Sequence, residues 1–127
     1  MTRTVLDASA ILTFLTGEPG CREVEKLLDR AYVNAVNVAE VASKLTERGS
    51  SPETTREIID SLGFEIISCD RWLAYRIGEL RVTTKAYCLS LGDRACLATA
   101  LHYNTQAVTA DRHWKDLKLG IRIHVIR

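Results

Sequence analysis

At 127 residues the chain has the size of one domain and can bury a core without disulfides. Its 17 Lys and Arg against 16 Asp and Glu leave a net charge of +1. That argues against a simple nucleic-acid-binding module, and less strongly against a nuclease, whose site carboxylates offset cations elsewhere. The N-terminal apolar run is too short for a signal peptide, and no stretch approaches the ~20 apolar residues of a membrane span. None of the four cysteines (Cys21, Cys69, Cys88, Cys96) stands in C-x-x-C spacing, so a cytoplasmic protein with reduced thiols is expected.

No linker or repeat interrupts the chain, which reads as a single domain over residues 1–127. Thr4-Val5-Leu6 is a short apolar run, a buried strand, with Asp7 directly after it. Residues 9–16 form a helix with Ile11, Leu12 and Leu15 on one face, ended by turn residues 17–20. Val24, Leu27 and Leu28 mark a second helix. A third starts near Asn37 and buries Val38, Val41, Ala42 and Leu45. Pro52 suits the first turn of a fourth, whose inner face carries Ile58, Ile59 and Leu62. Residues 64–68 are β-rich, residues 70–80 helical, and residues 90–103 a helix capped by Ser90. Ala107-Val108-Thr109 is a second buried strand, and residues 121–126 suggest a terminal one. Short apolar strands alternating with amphipathic helices predict an α/β sandwich with a mainly parallel central sheet flanked by helices.

In open parallel sheets ligands bind beyond the carboxyl ends of the strands. Asp7 and Asp111 each follow a predicted strand, so both carboxylates would project at one edge if those strands are neighbours. Asp93 extends the stripe Cys96, Leu97, Ala100 and Leu101 toward the core side of its helix, where an ionised group needs a partner. Ordinary structural readings stand beside these. Ser90-x-x-Asp93 resembles a capping box, and Asn37-x-x-Glu40 a cap with a reciprocal acid. Glu40 and Lys44 are spaced as a surface pair, and Asp111 can cap a short helix over residues 112–116. Should several of these carboxylates meet, their repulsion is relieved by protons or by a hard divalent cation. With oxygen ligands and no His/Cys cluster, that cation is Mg²⁺ or Mn²⁺ rather than Zn²⁺. His102, His113 and His124 are scattered, and Ser9 has no adjacent histidine, which leaves no competing nucleophile–base set.

Five segments in order then carry a family resemblance: Val5-Leu6-Asp7-Ala8-Ser9-Ala10, Glu18-Pro19-Gly20, Asn37-Val38-Ala39-Glu40-Val41, residues 90–98 around Gly92-Asp93-Arg94, and Thr109-Ala110-Asp111-Arg112-His113-Trp114. The chain resembles the VapC-type toxins of bacterial type II toxin–antitoxin systems, which are PIN-domain ribonucleases. The resemblance implies an endoribonuclease that hydrolyses RNA with metal-activated water, and an acidic site of Asp7, Glu40, Asp93 and Asp111 holding Mg or Mn. It also implies supporting hydroxyls at Ser9 and Thr109, an RNA substrate, a cognate antitoxin protein and a homodimer. Many relatives carry an extra acid two residues after Asp111, where this chain has His113. Candidate interface residues Phe14, Leu15 and Val24 read first as core. The alternative is a non-catalytic PIN-like or receiver-like regulatory module that binds Mg and a protein partner. A receiver would need paired acids after the first strand, and only Asp7 is there.

Overall fold

The computed structural model describes residues 2–127. Five strands, β1 (Thr4–Leu6), β2 (Ala31–Asn34), β3 (Glu65–Ile67), β4 (Ala107–Thr109) and β5 (Ile123–Val125), form one sheet in the order β3-β2-β1-β4-β5. Every neighbouring pair is parallel, so the sheet is parallel throughout. Each strand is three or four residues long, and the three central strands β2, β1 and β4 alternate their side chains between two cores. Val5, Tyr32 and Ala107 face a core built with α5 (Arg71–Thr83) and α6 (Leu91–His102). Leu6, Ala31, Val33 and Val108 face the other, built with α1 (Ala8–Thr16), α2 (Cys21–Glu25), α3 (Ala35–Glu47) and α4 (Pro52–Ser61). Burial on both faces explains why the strands read as short apolar runs rather than as alternating ones.

Connections from β1 run outward through β2 to β3, and the chain then returns to the other side of β1 to lay down β4 and β5. The reversal makes the carboxyl ends of β1 and β4 a topological switch point, the crevice where open α/β sheets bind ligands. Asp7 and Asp111 lie just beyond those ends.

Two local expectations are corrected. Asn37 does not cap the third helix. Asn34, at the end of β2, does so, accepting from the Val36 N–H at 2.9 Å, which moves the helix start to Ala35 and frees Asn37 to point inward. The second helix is short: α2 stops at Glu25, and Leu28 lies in a separate 3₁₀ turn, Leu28–Arg30. The capping box at Ser90 and Asp93 is present as expected. Val24 is fully buried, and Phe14 and Leu15 pack partly buried against the same core. All four cysteines are free, and among the described residues no helix is long and apolar enough to cross a membrane.

Asn34 is fully buried and does two jobs. Its Oδ1 caps α3 and its Nδ2 donates to Thr99 Oγ1 at 2.9 Å, tying β2 to α6. Asn34→Ala removes both contacts, so urea denaturation should show a loss of about 2 kcal/mol. A change within about 0.3 kcal/mol would mean the cap and tie contribute nothing net.

Candidate active site

The backbone after β1 turns directly into α1, and Asp7 is the capping residue. Its Oδ1 accepts from the Ala10 N–H at 2.9 Å and from the Ser9 hydroxyl at 2.7 Å, and its Oδ2 accepts from the Thr109 hydroxyl at 2.6 Å. The two hydroxyls also close the gap between strands: the Ala110 N–H donates to Ser9 Oγ at 2.9 Å, and the Asp111 N–H to Thr109 Oγ1 at 3.0 Å. Since both hydroxyl protons point at Asp7, the carboxylate is held from three directions without a positive partner. It is 3% exposed, and burial outweighs the three hydrogen bonds, so its pKa rises from 3.8 to about 6; the Asp93 charge pushes the same way.

Glu40 approaches from α3. It does not pair with Lys44, whose ammonium lies 4.0 Å from Glu47 instead. Its Oε1 accepts from Asn37 Nδ2 at 2.9 Å, and the same amide donates to the Gly92 carbonyl at 3.0 Å. Asn37 is fully buried, and its Oδ1 has no hydrogen-bond partner among the described residues. Gly92 is the seat of the Glu40 carboxylate: a Cβ there would fall 2.0 Å from Oε1 and 2.5 Å from Cδ. Burial raises the Glu40 pKa, the Asn37 bond lowers it, and the Asp93 charge raises it again.

Asp93, in the first turn of α6, accepts the Ser90 N–H on Oδ2 at 3.0 Å, so the cap engages one carboxylate oxygen. Asp111 caps the 3₁₀ turn Arg112–Asp116; its Oδ1 accepts from the His113 N–H at 2.9 Å and lies 3.0 Å from the His113 ring. Cys96 is fully buried. Its thiol pKa is raised first by burial, then by the charges of Asp7, Asp93 and Glu40, so it stays neutral and is no nucleophile.

Asp7, Glu40, Asp93 and Asp111 all line one cavity of about 190 Å³, with Ser9, Asn37 and Lys44 in its wall. Lys44 is the one cation among the cavity's described lining residues. Among the described residues no three His, Cys, Asp or Glu side chains stand as a ready-made ligand set, and Asp93 and Asp111 each turn one oxygen to their own caps. The donor chemistry nonetheless suits a hard divalent cation. Every carboxyl donor is oxygen, burial and repulsion penalise the bare charges of Asp7 and Glu40, and Asn37 adds an unmet buried acceptor.

The family model of the PIN domain matches residues 4–119. The chain belongs to the PIN domain family. Its fold matches that of a DNA-bound VapBC from Salmonella typhimurium, with a TM-score of 0.76 and 21% identity over 100% of both chains. It also matches VapBC2 from Rickettsia felis bound to a promoter DNA fragment, with a TM-score of 0.75 and 15% identity over 99% of this chain and 100% of that one. A toxin–antitoxin complex from Klebsiella pneumoniae matches with a TM-score of 0.72 and 19% identity over 93% and 94%. A search of curated proteins finds no match.

Within this PIN domain, each acid with a bland sequence reading keeps or loses that reading separately. Asp93 and Asp111 cap their helices and also line the cavity, so capping and a place in the cavity wall coexist. Asn37 as the anchor of Glu40 and Gly92 as its seat stand outside the residues that the sequence points to. A glycine in the first turn of an otherwise ordinary helix was the available signal for the latter.

Proposed function

We propose that this PIN domain is a Mg²⁺- or Mn²⁺-dependent endoribonuclease acting as the toxin of a toxin–antitoxin pair. The observation that carries the reading is the convergence of four carboxylates on one cavity at the sheet's switch point. Asp7, Glu40, Asp93 and Asp111 would hold the cation. When bound it supplies charge to offset a phosphodiester oxygen and to acidify a water. The chain's own work is positioning: Ser9 and Thr109 fix both oxygens of Asp7, Asn37 fixes Glu40 against Gly92, and the Ser90 N–H fixes Asp93. His113 stands where relatives often carry another acid, and by pairing with Asp111 it reduces the negative charge at that side of the pocket when protonated.

Similarity in fold to proteins solved as VapBC complexes supports a cognate antitoxin partner, and a homodimer in the cytoplasm completes the proposal. A PIN-like module that binds a partner without cutting would retain the fold and lack metal-dependent turnover. Excess EDTA is expected to abolish RNA cleavage, and Mg²⁺ or Mn²⁺ to restore it and raise Tm. Undiminished cleavage in EDTA by a nuclease-free preparation would contradict the metal requirement.

A further inference from the structure

A second cavity, of about 490 Å³, is lined by Arg112, Lys115 and Arg127 together with Ile123 and Val125 of the edge strand β5. No Asp or Glu is among its lining residues, in a chain whose net charge is only +1. Arg112 and Lys115 are exposed, and among the described residues neither forms a salt bridge. Both sit on the 3₁₀ turn that Asp111 caps, so one turn sends a carboxylate into the acidic cavity and two cations into the groove beside it. The groove is also built rather than loose. Arg112 Nε donates to the Arg127 backbone oxygen at 3.3 Å, and Arg127 Nη2 donates to the buried Thr13 hydroxyl at 2.9 Å and lies 3.4 Å from Glu18.

We infer that this groove binds the phosphate backbone of the RNA substrate, with Arg112 and Lys115 as positioning residues for the strand that enters the acidic cavity. The inference rests on the nuclease reading. A polyanion entering a cavity walled by four acids meets repulsion along its path. Cations without an Asp or Glu partner among the described residues, on the same turn, offset that repulsion and fix the strand's register without reading bases. An acidic peptide shares this charge but has no need of the neighbouring acidic cavity.

The test compares wild type, Arg112→Ala/Lys115→Ala and a control of equal charge change on remote helices, Arg56→Ala/Arg81→Ala. The probe is a fluorescein-labelled single-stranded RNA of mixed sequence. Binding is read in EDTA across a salt series, and kcat and KM in Mn²⁺. The groove variant should raise KM about tenfold with kcat within about twofold, and flatten the slope of log Kd against log salt by about 1.4, the release expected for two single-strand phosphate contacts. The control should leave both unchanged. If wild type cuts RNA but the groove variant keeps its KM and slope, or the control matches its losses, the groove assignment is overturned and the nuclease reading stands. If wild type neither binds nor cuts RNA, both fall. Retained RNA binding with loss of binding to an oligoglutamate peptide would make the groove a peptide site and overturn the assignment.

Discussion

Asp7→Asn is expected to stabilise the metal-free protein by about 3 kcal/mol at pH 7 while abolishing RNA cleavage. The Asp7 carboxyl is pushed from its ordinary value near 3.8 to about 6, chiefly by burial. At about 1.4 kcal/mol per pH unit, the difference gives the stated figure. Below the ordinary value both folded and unfolded chains hold the proton, and the carboxyl costs nothing. As pH rises from about 4 to about 6 the folded chain keeps a proton that the unfolded chain has released, so stability falls. Above the folded pKa the full cost is present. The amide removes that charge and can keep the contacts: its oxygen still accepts from Ser9 and Ala10, and its nitrogen can donate to Thr109, whose own proton then turns to Ser9 Oγ 3.2 Å away. Urea denaturation of both proteins should therefore show a gap of about 0.5 kcal/mol at pH 4 that widens to about 3 kcal/mol at pH 7. A destabilised variant at pH 7 would show that the buried charge is not the dominant cost.

Gly92→Ala separates the site from the fold in a different way. An alanine favours the helix by about 1 kcal/mol over glycine. Its Cβ, however, lands on the Glu40 carboxylate, which is the end of a flexible side chain and can swing away. That movement breaks the Asn37–Glu40 bond but leaves the core in place. Stability should change by less than about 1 kcal/mol, while kcat/KM for RNA falls about 10²-fold or more. Because the loss runs through Glu40, the double variant Gly92→Ala/Glu40→Gln should be no worse than either single one. Additive losses, or wild-type activity in Gly92→Ala, would disconnect Gly92 from the site.

How much of this was legible in the sequence depends on the physical origin of each feature. The runs Thr4–Leu6 and Ala107–Thr109 announced themselves because both faces of a central parallel strand are buried, and their flanking acids then followed from the strand-end rule. Strand β2 did not. Its sequence Ala-Tyr-Val-Asn is four residues long, and Asn34 at its end looks like a loop residue until its side chain is seen capping α3. Without that strand the sequence places the cap at Asn37 and hides the inward role of that residue. Asp93 reads as a helix cap by local rules alone, since its site membership depends on what α3 and β1 bring beside it. The contact of Asn37 with Gly92 spans 55 residues, a distance at which no local pattern carries information. At the far end, residues 121–126 suggested a strand by composition, and the pairing with β4 trims it to Ile123–Val125.

Whether Asp7, Glu40, Asp93 and Asp111 together hold a divalent cation is tested most directly by Mn²⁺ titration calorimetry on the wild type and Asp93→Asn. Asn preserves the shape of the side chain and can still accept the Ser90 N–H, so the cap survives. Wild type should bind Mn²⁺ with release of protons near pH 6, as Asp7 ionises. Asp93→Asn should hold or raise the metal-free Tm, since it removes a charge that repels Asp7 and Glu40, yet lose most Mn²⁺ affinity and RNA cleavage. Wild-type Mn²⁺ binding and cleavage in Asp93→Asn, with Tm lowered by the loss of a first-turn acid, would make Asp93 a helix cap and contradict the four-acid site.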